Sequence, residues 1–91
     1  MTAFTYAVST PEGTVAQGSC DFVVIPTTRG EMGVLADHAP VVASVSPGQL
    51  RVVLAGRETL ISVGPGLVEV LDNAARLFVA HAGAPRSGGG E

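Results

Sequence analysis

The chain has 91 residues and a formal net charge of −3, with 46% hydrophobic and only 14% charged residues. That length holds one packed core, because two cores would leave neither enough chain to bury. It has no lysine, and its five arginines (Arg29, Arg51, Arg57, Arg76, Arg86) are scattered, which excludes the basic patch of a nucleic-acid binder and the polybasic cluster of a membrane anchor.

The opening Met1-Thr2-Ala3-Phe4-Thr5-Tyr6 lacks the charged and apolar regions of a signal peptide. No apolar run approaches the ~20 residues of a membrane-spanning helix. A soluble chain in a reducing compartment is expected, one that can still dock onto something in a membrane. Turn signals follow at Pro11-Glu12-Gly13 and Gly18. Cys20 is the single cysteine, so it forms no internal disulfide, and beside Phe22-Val23-Val24 it reads as a buried, inert thiol. The segment Phe22-Val23-Val24-Ile25 is apolar on both faces and predicts a central strand or one covered by a partner.

Thr28-Arg29-Gly30 and Gly33 mark the next breaks, and Gly30 to Gly33 reads as a loop. Val41 to Val45 is too short and too β-branched for a helix. After Pro47-Gly48, the run Leu50-Arg51-Val52-Val53-Leu54 places Leu50, Val52 and Leu54 on one face and Arg51 on the other, the alternation of a half-buried strand. Gly56 predicts a hairpin turn into Thr59–Val63. Gly64-Pro65-Gly66 predicts a turn, and Asp72-Asn73 a second hairpin, since both residues tolerate positive φ. In Arg76-Leu77-Phe78-Val79, Leu77 and Val79 face away from Arg76. Short β-branched runs at near-regular spacing predict an all-β sandwich or barrel. Residues 1–82 form the domain. The segment 83–91, with Gly83, Pro85 and Gly88-Gly89-Gly90, predicts a flexible tail with too little to bury.

The charged fraction is well under the ~25% usual for soluble domains. A valine-rich core and a surface covered by another protein both account for that.

The chain shows little that does chemistry. It has no phosphate-binding glycine loop followed by Lys and Ser or Thr, and no Gly-Xaa-Ser-Xaa-Gly elbow. Cys20, His38, His81 and the carboxylates show no zinc-like spacing, so no metal and no cofactor is expected. Asp37 and His38 are adjacent, and on an extended backbone their side chains diverge, which argues against a catalytic dyad. His81 is expected to be exposed at the end of the last strand. Glu31, flanked by glycine and methionine, is the acid best placed for a contact role. The other acids read as turn or solvent-face residues. A carbohydrate- or peptide-binding sandwich is the competing reading, but such modules often present aromatics, and here they are 4% of the chain with no tryptophan.

The segment Gly30-Glu31-Met32-Gly33-Val34-Leu35-Ala36-Asp37-His38-Ala39-Pro40 resembles a signature of the epsilon subunit of F-type ATP synthases, which reads Gly-Glu-aliphatic-Gly-aliphatic-Leu-Pro-Gly-His-Ala-Pro. Other matches keep their order. Ser9 through Gly18 resembles the family's opening turn and strand, and Val24-Ile25-Pro26-Thr27 its Val-Leu-Pro-Thr strand end. Pro47-Gly48-Gln49-Leu50-Arg51-Val52 resembles Pro-Gly-Xaa-Leu-Arg-Ile/Val, and Gly64 through Val70 resembles Gly-Gly-Phe-Leu-Glu-Val with a small difference. The resemblance covers about residues 4 to 82.

It implies a flattened sandwich of roughly ten short strands. It implies a non-catalytic rotor subunit that binds the gamma subunit along one face, rests on the polar loops of the membrane c-ring, and reaches the alpha/beta head only indirectly. Such a subunit is peripheral, on the cytoplasmic face of a bacterial inner membrane, and does not insert into it. By the same resemblance Gly30, Glu31, Met32 and Gly33 are expected at the c-ring, and His38, Ala39 and Pro40 at gamma. The glycines would let the loop approach the ring closely, and Met32 would be an adaptable apolar contact. Two departures stand out. Ala36-Asp37 replaces the usual Pro-Gly, which predicts a different loop shape. No C-terminal helical pair follows Ala82, so the helical brake on ATP hydrolysis is expected to be missing.

Overall fold

The computed structural model describes residues 4–88, and in them every regular element is a strand. In chain order these are β1 (Thr5–Thr10), β2 (Gly13–Ser19), β3 (Phe22–Thr27), β4 (Gly30–Leu35), β5 (Val41–Val45), β6 (Gly48–Leu54), β7 (Arg57–Val63), β8 (Gly66–Leu71), β9 (Ala74–Val79) and β10 (Arg86–Ser87). The Val- and Ile-rich composition favours this, because branched side chains pack well on a pleated surface.

The strands form one curled sheet in the order β10-β7-β6-β3-β5-β8-β9-β1-β2, with β4 paired to β3. All pairs are antiparallel except β1–β9, which sets the first strand beside the ninth in parallel. The curl folds the sheet onto itself, so inward side chains of the two halves meet in one core. Ile25, Leu50 and Ile61 from one half pack with Val8, Val68 and Leu77 from the other, each at most 1% exposed. The predicted alternation is present: Leu50 and Val52 are buried while Arg51 is exposed, and Leu77 and Val79 are buried while Arg76 is exposed. Leu54, expected with Leu50 and Val52, is 45% exposed where the strand leaves the core. The central position expected for Phe22–Ile25 also holds, with β3 flanked by β4 on one side and by β6 and β5 on the other.

Both predicted hairpins have two-residue turns with positive φ at both central positions: Ala55 at 53° and Gly56 at 76°, Asp72 at 52° and Asn73 at 60°. That is the turn whose twist matches antiparallel strands. The Asp21 carboxylate accepts a 2.8 Å bond from the Ala55 N–H and so ties down the first turn.

Three expectations are corrected. Gly64-Pro65-Gly66, expected as a turn, is a corner between the two halves of the sheet rather than a hairpin, and Pro47-Gly48 is a second such corner. β5 continues into β6 across Ser46-Pro47, and β8 follows β7 across Gly64-Pro65, each pair of strands changing from one half of the sheet to the other. Neighbouring corners are stitched together: the Gly64 N–H donates to the His81 carbonyl and the Ala80 N–H to the Pro65 carbonyl, both at 2.9 Å. A single fold line therefore crosses three adjacent strands. Second, Gly30 to Gly33 is not a loop but the first part of β4, with Glu31 opposite Pro26 and Gly33 opposite Val24. Third, the segment expected as a tail from residue 83 runs along β7 as far as Gly88. Ala82 bridges Val63, and Arg86 and Ser87 pair with Leu60 and Thr59 of β7. Backbone hydrogen bonds hold it, and these leave no apolar pattern in a sequence. Residues 89–91 of the expected tail lie outside the described residues.

Candidate interaction surfaces

The turn at Thr28-Arg29 that feeds β4 is organised by one hydroxyl. Thr27 Oγ1 donates to the Gly30 carbonyl at 2.5 Å and accepts from the Arg29 N–H at 3.2 Å. Gly30 has φ 108°, a conformation that side chains rarely adopt. Along β4 the side chains alternate. Val34 is fully buried and Met32 packs against the core, whereas Glu31, Gly33 and Leu35 are exposed on the other face. The four residues expected to act together at the ring are therefore split, with Glu31 and Gly33 outward and Met32 inward. Gly33 has an ordinary φ and open space where a Cβ would sit, so the fold itself does not require glycine there.

His38, Ala39 and Pro40 lie in the exposed link from β4 to β5. Asp37 adopts φ 64°, a region open to glycine and tolerated by aspartate. Replacement of the family's Pro-Gly by Ala36-Asp37 thus leaves a backbone that a glycine at 37 can also adopt. It also corrects the extended geometry expected for Asp37-His38, since these residues sit in a turn. Asn73, from the β8–β9 hairpin, clamps the link. Its Oδ1 accepts from the Asp37 N–H at 2.6 Å, and its Nδ2 donates to Asp37 Oδ1 at 3.3 Å. His38 Nδ1 lies 2.6 Å from its neighbour Ala39's carbonyl oxygen, to which it donates. Glu31 and His38 are not brought together. The stretch of β4 from Glu31 to Leu35 alone is about 13 Å long.

Replacing Asn73 with glycine keeps a residue suited to positive φ and removes the clamp. The expected cost is about 1 kcal/mol for the lost hydrogen bonds, with faster amide exchange at Asp37 and His38. Urea unfolding and hydrogen exchange check both, and unchanged exchange would show that the link holds its shape without Asn73.

A third surface was not anticipated. On the outer face of β5, β8 and β9, the pairings set Ser44 beside Leu67 and Leu67 beside Phe78, and Val42 beside Glu69 and Glu69 beside Arg76. Val42 is 67% exposed, Phe78 52% and Leu67 51%, and Leu71 is partly exposed on the same face. Glu69 and Arg76 make a loose 3.8 Å ion pair among them. The signal was present in Leu77-Phe78-Val79, where two buried residues force the phenylalanine outward, onto the face marked by Arg76.

Cys20 is buried, as expected, with its thiol 3.8 Å from the Phe4 carbonyl. Burial, with a smaller contribution from the Asp21 charge, pushes its pKa up to about 11, so it stays protonated at neutral pH. Among the described residues there is no cluster of three or more His, Cys, Asp or Glu able to hold a metal. His81 is exposed, its ring lying over Gly64.

Comparison with known proteins agrees with the fold. The family model described as ATP synthase, Delta/Epsilon chain, beta-sandwich domain matches residues 3–84. The ATP synthase epsilon chain of Desulfitobacterium hafniense (strain DSM 10664 / DCB-2) is 41% identical over 70 residues, covering 77% of this chain and 53% of that protein. That of Nitrobacter winogradskyi is 44% identical over 70 residues, covering 77% and 52%. The chain spans about half the length of the curated relatives it matches. Among solved structures, the Euglena gracilis mitochondrial ATP synthase (OSCP/F1/c-ring) contains a chain that superposes with a TM-score of 0.83 at 25% identity, over 93% of this chain and 54% of that one. A chain of the Tetrahymena thermophila central stalk and c-ring shares the fold, with a TM-score of 0.72 at 15% identity, over 89% of this chain and 66% of that one.

Proposed function

The chain belongs to the beta-sandwich family of ATP synthase delta/epsilon chains, and from that premise we propose that it is a non-catalytic rotor subunit joining gamma to the c-ring. The carrying observation is the open apolar face of β5, β8 and β9, where Val42, Leu67 and Phe78 are each at least half exposed. An isolated sandwich gains nothing from leaving these side chains in water, whereas a partner that covers them gains their burial. His38, Ala39 and Pro40 lead directly into β5 and extend this face towards gamma. Glu31 and Gly33, at the other end of β4, face the polar loops of the c-ring. Gly33 leaves the strand bare between Glu31 and Leu35, which admits close approach of another backbone. In this reading the subunit sits on the cytoplasmic face of a bacterial inner membrane, held there by its partners.

Co-purification with the organism's gamma subunit tests the assignment, with His38→Ala and Glu31→Ala in parallel. A one-to-one complex weakened by His38→Ala and left intact by Glu31→Ala is expected. Absence of any complex, with gamma alone or with the assembled catalytic head, would overturn the rotor reading.

The proposal extends to regulation. Restraint of ATP hydrolysis by a helical pair has no counterpart among the described residues, which contain no helix. Adding the helix-free sandwich of residues 4–88 to a complex that lacks it is expected to leave the hydrolysis rate unchanged. Strong inhibition relieved by ATP would contradict this.

A further inference from the structure

We propose that residues 82–88 are a detachable strap guarding β7, and that β7, once uncovered, pairs with β7 of a second copy of this chain. The strap is held by its backbone. The Gly83 N–H donates to the Ser62 carbonyl at 2.9 Å and the Gly88 N–H to the Glu58 carbonyl at 2.8 Å, with Arg86 paired to Leu60 between them. Residues 83–87 are all exposed, so little apolar burial reinforces these bonds. Solvent-exposed backbone bonds with little apolar burial around them open locally at low cost. The strand beneath is different in kind. β7 pairs with β6 along its whole length and buries Ile61 and Val63, so it stays in place when the strap leaves.

An uncovered strand edge is a row of unpaired N–H and C=O groups ready for another strand. Two copies of β7 can meet antiparallel about Leu60. Glu58 then faces Ser62 and Arg57 faces Val63, so no like charges oppose each other and the contact closes with two-fold symmetry.

The test uses the full chain and a variant carrying Gly83→Pro and Gly88→Pro, which removes the two donor N–H groups. Leu60 pairs with Arg86 of the strap, so strand alternation turns the amide of Leu60 to the strap and that of Ile61 to β6. In the parent chain, Leu60 should exchange with solvent faster than Ile61. In the variant its protection should fall on the order of tenfold further, with Ile61 unchanged, and sedimentation should show a concentration-dependent dimer absent from the parent. If the Leu60 amide exchanges in step with Ile61 in the parent, the strap opens only with the whole sandwich and the proposal fails. That measurement needs no variant and stands even if the double substitution unfolds. Selective loss of protection in a variant that stays monomeric at high concentration rejects β7 as the pairing edge.

Discussion

Replacing Gly66 with alanine is expected to lower the melting temperature by roughly 12–24 °C, taking the cost at about 3 kcal/mol, the upper end for overpacking, and 4–8 °C per kcal/mol for a domain of this size. Gly66 opens β8 immediately after the Gly64-Pro65 corner, opposite Val79 of β9. A Cβ there would run into the Phe78 carbonyl oxygen and lie 2.7 Å from Val79 Cα and 2.9 Å from the Phe78 carbonyl carbon. All three are backbone atoms, so no rotamer change relieves the clash. The strands must separate, and the adjoining bond from the Ala80 N–H to the Pro65 carbonyl is strained with them. Gly33→Ala is the control. It meets nothing within 4 Å and has an ordinary φ, so thermal unfolding should be nearly unchanged. Similar small shifts for both variants would mean that the strands do not approach this closely at the corner.

The contrast between these two glycines shows what could be read from the sequence. Gly56 and Asp72-Asn73 were legible as hairpin turns because positive φ is a local property of the residue. The buried faces of β6 and β9 were legible because alternation is local too. Gly64-Pro65-Gly66 was legible only as a break. Whether a chain reverses or turns a corner is decided by which strands lie beside it, and here those come from residues 45–48 and 79–82. The glycines around Glu31 disguised an edge strand as a loop, because β4 finds its pairing in β3 and needs little from its own side chains. The Asp37–Asn73 clamp joins residues 36 apart, beyond the reach of any spacing argument. The division of contacts between Glu31 and His38 came from family resemblance. The structure adds that they occupy different places on the surface, Glu31 near the start of β4 and His38 in the link beyond its end.

Replacing Leu67 and Phe78 together with threonine is expected to weaken binding to the gamma subunit by more than 100-fold, on the order of 3 kcal/mol or more. The two side chains are direct cross-strand neighbours, each about half exposed, in the middle of the outer face proposed to meet gamma. Binding energy concentrates in a handful of well-packed anchors near the centre of an interface, where truncation costs about 2 kcal/mol or more, and Leu67 with Phe78 is the adjacent pair of large apolar side chains on this face. Threonine keeps β propensity, so the strands are retained while most of the apolar area is lost. Melting temperature should therefore move little, which separates loss of docking from loss of fold. Arg76→Ala on the same face is the contrasting variant. Its 3.8 Å pair with Glu69 is solvent-exposed, so its removal is expected to change affinity by no more than about 1 kcal/mol. Calorimetric titration of each variant against gamma makes the comparison. If the double threonine variant binds as tightly as the parent, gamma does not cover this face, and the exposed apolar surface must be assigned to another partner.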